Sequence, residues 1–192
     1  GPPPRPPAPG GPAGPPPGAG GGARRAAGAA GGLAPHDQGE ALSLADQVAV
    51  MADGRFLQVA PPADVYLAPA DQVVAAFLGH AALLPGTVVP GGACRARCAL
   101  GMLTVRGHLN GAGPVVLAVR AEQVQVSPEV GAATAAQVTD VSFFGHDATI
   151  RVRLDSGEEL TARTPAGAIP RSGDRVGVRV EGAVLAFPGN RP

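Results

Sequence analysis

The chain has 192 residues, room for one ordinary domain or two small ones, and its 15 basic and 15 acidic residues cancel to a formal net charge of zero. That balance argues against a general nucleic-acid binder or a protein held to anionic membranes by charge. Two cysteines, Cys94 and Cys98, do not make a disulfide framework, so a reducing, cytoplasmic setting is the simpler reading.

Composition is uneven along the chain. Of 22 prolines and 29 glycines, 11 of each precede residue 36, and every basic residue is arginine. Residues 1–34 contain almost nothing large and apolar, so burial cannot offset the entropy of ordering and a disordered low-complexity segment is expected. Pro4-Arg5-Pro6-Pro7 superficially resembles a polyproline recognition motif, but Pro/Gly tracts more often act as linkers. No signal peptide is legible there, since Pro and Gly stand where an apolar core is needed. The most apolar window, residues 73–89, is interrupted by Gly79, His80, Pro85 and Gly86 and falls short of a membrane span.

Residues 36–79 carry local signals at nearly every step. Asp37 can cap a helix whose third residue is Glu40, which leaves His36 just outside a helix N-terminus. Gln47 to Met51 is strand-like, Asp53-Gly54 suits a two-residue hairpin turn, and Arg55 to Val59 returns as the second strand. Pro62 and Pro69 each suit the first turn of a short helix. The second helix places Val73, Val74, Phe77 and Leu78 at helical spacing and stops at Gly79.

The segments His36-Asp37-Gln38-Gly39-Glu40-Ala41-Leu42, Ala45 to Gly54, Gln58 to Tyr66 and Ala75-Ala76-Phe77-Leu78-Gly79 resemble, in this order, the C-terminal end of the nucleotide-binding domain of ABC importer ATP-binding subunits. Pro35, Ala60 and Pro61 depart from the family's threonine, glycine and threonine. The resemblance makes residues 35–79 a remnant of that domain and His36 its switch histidine, which in the family contacts the γ-phosphate of ATP. It also motivates the expectation that residues 1–34 are an out-of-frame translation of GC-rich DNA.

Beyond Gly79 the period becomes two. Candidate strands are Gly86 to Val89, Ala93 to Cys98, Met102 to Arg106, Val115 to Val119, Gln123 to Val126, Gln137 to Phe143, His146 to Leu154, Glu159 to Thr164 and Arg175 to Glu181. Glu181-Gly182 reads as a hairpin turn into Ala183 to Phe187. Ala148, Ile150, Val152 and Leu154 should share one buried face, with Thr149, Arg151 and Arg153 opposite. Many short strands between Gly, Pro and Asp turns indicate a small barrel or sandwich.

Val119-Arg120-Ala121-Glu122-Gln123-Val124-Gln125-Val126 and Val141 to Ala148 resemble two markers of the TOBE regulatory domain, an OB-like fold that follows the nucleotide-binding core in such importers. Alanine at 121 replaces the family's proline. Residues 80–192 are thus expected to form a mainly β, TOBE-like regulatory domain. Leu83-Leu84-Pro85-Gly86 and Phe144-Gly145-His146-Asp147-Ala148 look most like ferric-iron members, while polyamine, thiamine and phosphonate importers share most of the pattern. The resemblance implies ATP and Mg²⁺ as cofactors of the intact family member, and permease subunits and a second ATP-binding subunit as partners. It further implies a peripheral position at the inner face of the cell membrane, without membrane insertion and without nucleic acid.

His36 is the one catalytic candidate, and it lacks company. A P-loop needs a lysine at the phosphates, and the chain has none. The family signature Leu-Ser-Gly-Gly-Gln and a Walker B strand are absent too, so this chain alone is expected neither to bind nor to hydrolyse ATP and to hold no cofactor. Cys94 and Cys98, four residues apart on one strand face, read as small buried hydrophobes and not as a metal pair. His80, His108 and His146 are scattered, and Arg151 with Arg153 suits a solvated face as well as an anion. A stand-alone OB-like binding module is the alternative from another class. As a nucleic-acid reader it would offer only Phe143, Phe144 and Phe187 for stacking.

Overall fold

The computed structural model describes residues 42–91, 94–107, 112–131, 133–167 and 169–189. The expectations for residues 1–34, His36, the Asp37 and Glu40 cap and His108 lie outside the described residues.

Strands β1 (Val48–Ala52) and β2 (Arg55–Ala60) form an antiparallel hairpin. Asp53 and Gly54 join them with φ of 49° and 72°, the two left-handed residues that a tight hairpin turn demands. Helix α1 (Pro62–Leu67) starts with a proline, whose missing N–H costs nothing in a first turn. Helix α2 (Gln72–Phe77) does not begin at Pro69, as the sequence suggested. Its N-cap is Asp71, whose Oδ1 accepts from the Val74 amide at 2.8 Å, and Pro69 is buried in the connection before it. A side-chain acceptor for an orphan amide fixes the start better than a preset φ does. The Gln58 side chain holds that connection on the hairpin, accepting from Ala70 N at 2.8 Å and donating to Ala68 O at 3.1 Å.

Val50, Val65, Val74 and Leu78 make the small core of this segment, with Leu57, Ala60 and Tyr66 packed against it. Only part of the expected apolar helix face is buried. Val74 and Leu78 point inward, whereas Val73 and Phe77 are 48% and 53% exposed.

Ten strands follow in two five-stranded antiparallel sheets. One has β10 (Glu159–Pro165), β9 (Asp147–Leu154), β8 (Thr134–Phe143), β11 (Arg175–Val180) and β7 (Val124–Ser127), in that order. The other has β12 (Leu185–Pro188), β6 (Pro114–Val119), β3 (Ala82–Val89), β4 (Arg95–Cys98) and β5 (Gly101–Thr104). Both contribute inward residues to one core, from Leu84, Val88, Leu117 and Val119 on one side to Ile150, Val152, Val176 and Val178 on the other. Each such side chain contributes roughly 1.5–3 kcal/mol by leaving water. Strand β10 lies against β7 and a 3₁₀ turn (Ala121–Gln123), which draws the sheets into a nearly closed barrel. Thr139 is a bulge in β8, where the register passes from Val138 opposite Val152 to Asp140 opposite Arg151.

The alternation in β9 is as expected, with Ala148, Ile150, Val152 and Leu154 buried. The Glu181-Gly182 hairpin is not formed. β11 pairs with β8 and β7, while β12 pairs with β6 in the other sheet. Val184, wholly buried, makes a parallel bridge to Val105 and exchanges backbone bonds with Thr104 and Arg106, which pulls the chain across the barrel.

Candidate functional site

The polar group buried most deliberately among the described residues is Arg120, 7% exposed, directly after β6. β6 is covered on both faces, so the residue that follows it emerges between the barrel and the ends of α1 and α2. A planar guanidinium can donate in two directions from one position. Here Nη1 donates to Leu78 O at 3.2 Å and Nη2 donates to Tyr66 O, so the carbonyls closing both helices receive a cation. The guanidinium carbon lies 3.6 Å from the centre of the Tyr66 ring, close enough for a cation–π contact. A buried arginine is costly unless it is partnered, and two carbonyls and the Tyr66 ring partner this one.

Tyr66 is fixed from its other end as well. Its hydroxyl donates to Glu122 Oε1 at 2.6 Å, across 56 positions of sequence. Burial, followed by the bond to Glu122, pushes the phenol above its ordinary range, and Arg120 opposes this in part. Gln123 completes the corner: its Oε1 accepts from Arg120 N at 3.2 Å, and its Nε2 donates to Ala183 O at 3.1 Å and Glu181 O at 3.3 Å. The corner thus joins the 3₁₀ turn to the crossing between β11 and β12. Gly79 is required by the same contact. Its φ is +84°, and a Cβ there would lie 2.8 Å from Arg120 Nη1 and 2.9 Å from Tyr66 Cε2.

Beside the joint lies a cleft of about 130 Å³ lined by Leu67, Arg106, Glu122, Gln123, Ala183 and Leu185 together with Tyr66 and Arg120. Arg106 Nη1 reaches Leu67 O at 3.5 Å across its rim. Of the polar groups that line it, the Tyr66 hydroxyl and the Glu122 carboxylate are already bonded to each other. The arrangement holds two parts of the chain in register.

The residues singled out in the sequence do not converge. His36 is outside the described residues. Cys94 and Cys98 are free and half-buried against the core, and burial pushes the Cys98 thiol up. Among the described residues no three His, Cys, Asp or Glu side chains are placed to hold a metal. Arg151 pairs with Asp140 at 3.4 Å and Arg153 with Glu159 at 2.7 Å, both at the surface. His80 is exposed at a φ of 49°, and His146 is an exposed neighbour of Asp147, whose buried carboxylate accepts from Arg163. Arg120 and Glu122 carried weight in the sequence only as parts of a marker. The available signal was an arginine ending an apolar strand, and nothing local pointed to Tyr66.

The sequence model for the TOBE domain matches residues 117–187. The chain is 40% identical over 161 residues to the Fe(3+) ions import ATP-binding protein FbpC 2 of Rhodococcus jostii, covering 81% of this chain and 45% of that protein. It is 34% identical over 157 residues to the spermidine/putrescine import ATP-binding protein PotA of Ruegeria pomeroyi, covering 80% of this chain and 42% of that protein. A solved structure of the cytoplasmic molybdate-binding protein ModG aligns with a TM-score of 0.45 at 16% identity, over 54% of this chain and 93% of that one. The chain therefore carries a TOBE domain, matches the C-terminal part of ferric-iron and polyamine import ATP-binding proteins, and spans less than half the length of these curated relatives. Among the described residues no helix is long and apolar enough to cross a membrane.

Proposed function

We propose that this chain is the C-terminal portion of the ATP-binding subunit of an ABC importer for ferric iron, with residues 35–79 from the nucleotide-binding domain and residues 80–192 as its regulatory domain. The observation that carries the reading is the 40% identity over 81% of the chain. That share exceeds residues 80–192, so the likeness runs back into the hairpin and helices as well as through the barrel. In the whole protein, ATP hydrolysis would drive iron import through permease subunits at the inner face of the membrane, with two ATP-binding subunits paired. Polyamine is the second solute to consider, because PotA-type proteins align nearly as well.

ATP and Mg²⁺ do not fit the residues present. The 192 residues contain no lysine for a P-loop. Pro62 removes a donor from the start of α1, and the Asp71 carboxylate already takes the Val74 amide that a phosphate would need at α2. His36 would serve as the switch histidine only when an upstream core supplies the nucleotide.

A chimaera tests this directly. Residues 36–192 would replace the corresponding C-terminal part of the Rhodococcus jostii ferric-iron protein, with a parallel graft into the Ruegeria pomeroyi polyamine protein. Ferric-iron uptake and ATP hydrolysis should persist in the first, His36→Ala should abolish both, and polyamine uptake in the second should be weaker. A folded iron chimaera that neither hydrolyses ATP nor imports iron would refute the assignment.

A further inference from the structure

We propose that Arg120 is the fastener of a shear joint, fixing the orientation of the hairpin-helix segment on the barrel and permitting the two to slide when its side chain is released. This inference stands independently of the transport reading. Apart from the Arg120 corner, the surface between α2 and the barrel is built on Ala75, Ala81 and Ala118, with Leu185 and Phe187 packed against them. The three alanine methyls give this surface little relief where α2 meets the barrel, and Leu185 and Phe187 are only partly buried beside them, so shape alone holds the orientation weakly. Orientation must then come from directional groups. Arg120 supplies them, with one donor to the end of each helix and its plane on the Tyr66 ring, while Tyr66 is anchored by Glu122. Arg106 to Leu67 O, at 3.5 Å, is too long to substitute. The adjoining cleft of about 130 Å³ gives the guanidinium and the ring somewhere to go. Sliding of packed elements over a bistable contact is an established mode of conformational change.

The test measures residual dipolar couplings on the full chain. In the wild type, amides of residues 46–79 and those of the barrel strands should fit one alignment frame. In Arg120→Met, which keeps bulk and loses both donors, they should require two frames, while the barrel amides still fit one frame among themselves. Arg120→Lys should not restore the common frame, because an ammonium lacks the two-way fork. Should Arg120→Met fail to fold, Arg120→Lys decides, since it keeps a cation on a flexible stem and loses the fork that reaches Leu78 O and Tyr66 O together. Two frames in that variant support the joint. A single frame retained in whichever variant folds overturns it.

Discussion

Tyr66 is the chain's one tyrosine, and there is no tryptophan, so its ring reports on the joint without interference. Burial and the bond to Glu122 raise its folded pKa above the unfolded value of about 10. The protonated phenol is therefore favoured by folding: its contribution is complete below the unfolded value and is lost as pH rises through the higher folded one. Tyrosinate absorbance should titrate later in the native chain than in denaturant, and Glu122→Gln should bring the midpoint back down by removing a neighbouring negative charge. Coincident native and denatured midpoints would show that the ring is not held as described. Residue roles were the least legible level of this sequence. His36 was marked by its motif, whereas the Tyr66 and Arg120 contact spans 54 positions and becomes visible only when the barrel brings β6 to the helices. Gly79 read correctly as a helix stop, yet its second reason, room for the Arg120 guanidinium, is a tertiary fact.

Strands were legible because their period of two survives into the fold. β9 shows the consequence in energy, since Ile150 is fully buried between the sheets and Arg153 is exposed on the other face. Ile150→Ala should cost roughly 2–5 kcal/mol, the usual range for deleting a buried aliphatic side chain. Arg153→Ala should change stability by no more than about 1 kcal/mol, because its pair with Glu159 is solvent-screened. Chemical denaturation of the two variants would measure the contrast, and equal losses would mean that the faces have been misassigned. Partners of strands were less legible than strands. Glu181-Gly182 turns the chain in either topology, and the choice of sheet is made by burial of Val184 and its bonds to Thr104 and Arg106, some eighty positions away.

At the scale of the molecule, exposed apolar residues are unevenly shared. Among the described residues Leu44, Met51, Phe56, Val59, Leu67, Val73, Phe77 and Leu83 fall at or before the start of the barrel, against Met102, Phe143 and Phe144 in the rest. The hairpin-helix segment is too small to bury both sides of its elements: β1, β2 and α2 spend one side on each other and α2 spends another on the barrel alanines. Helical spacing in the sequence showed that Val73, Val74, Phe77 and Leu78 are apolar, and it could not say which of them this short segment would cover. The relatives are more than twice as long as the part matched here, and under the proposed reading their additional chain covers exposed side chains of this segment. The isolated chain should then bind an apolar fluorescent dye, because large apolar side chains left exposed in one small segment give such a dye surface to bind. Phe56→Ser with Phe77→Ser should reduce that binding, since the two rings are 65% and 53% exposed, while Phe143→Ser with Phe144→Ser should leave most of it. In the iron chimaera the dye should bind weakly even without substitution, the upstream chain having taken its place. Strong dye binding by a chimaera that hydrolyses ATP would mean that these side chains remain exposed in the whole protein and serve another contact.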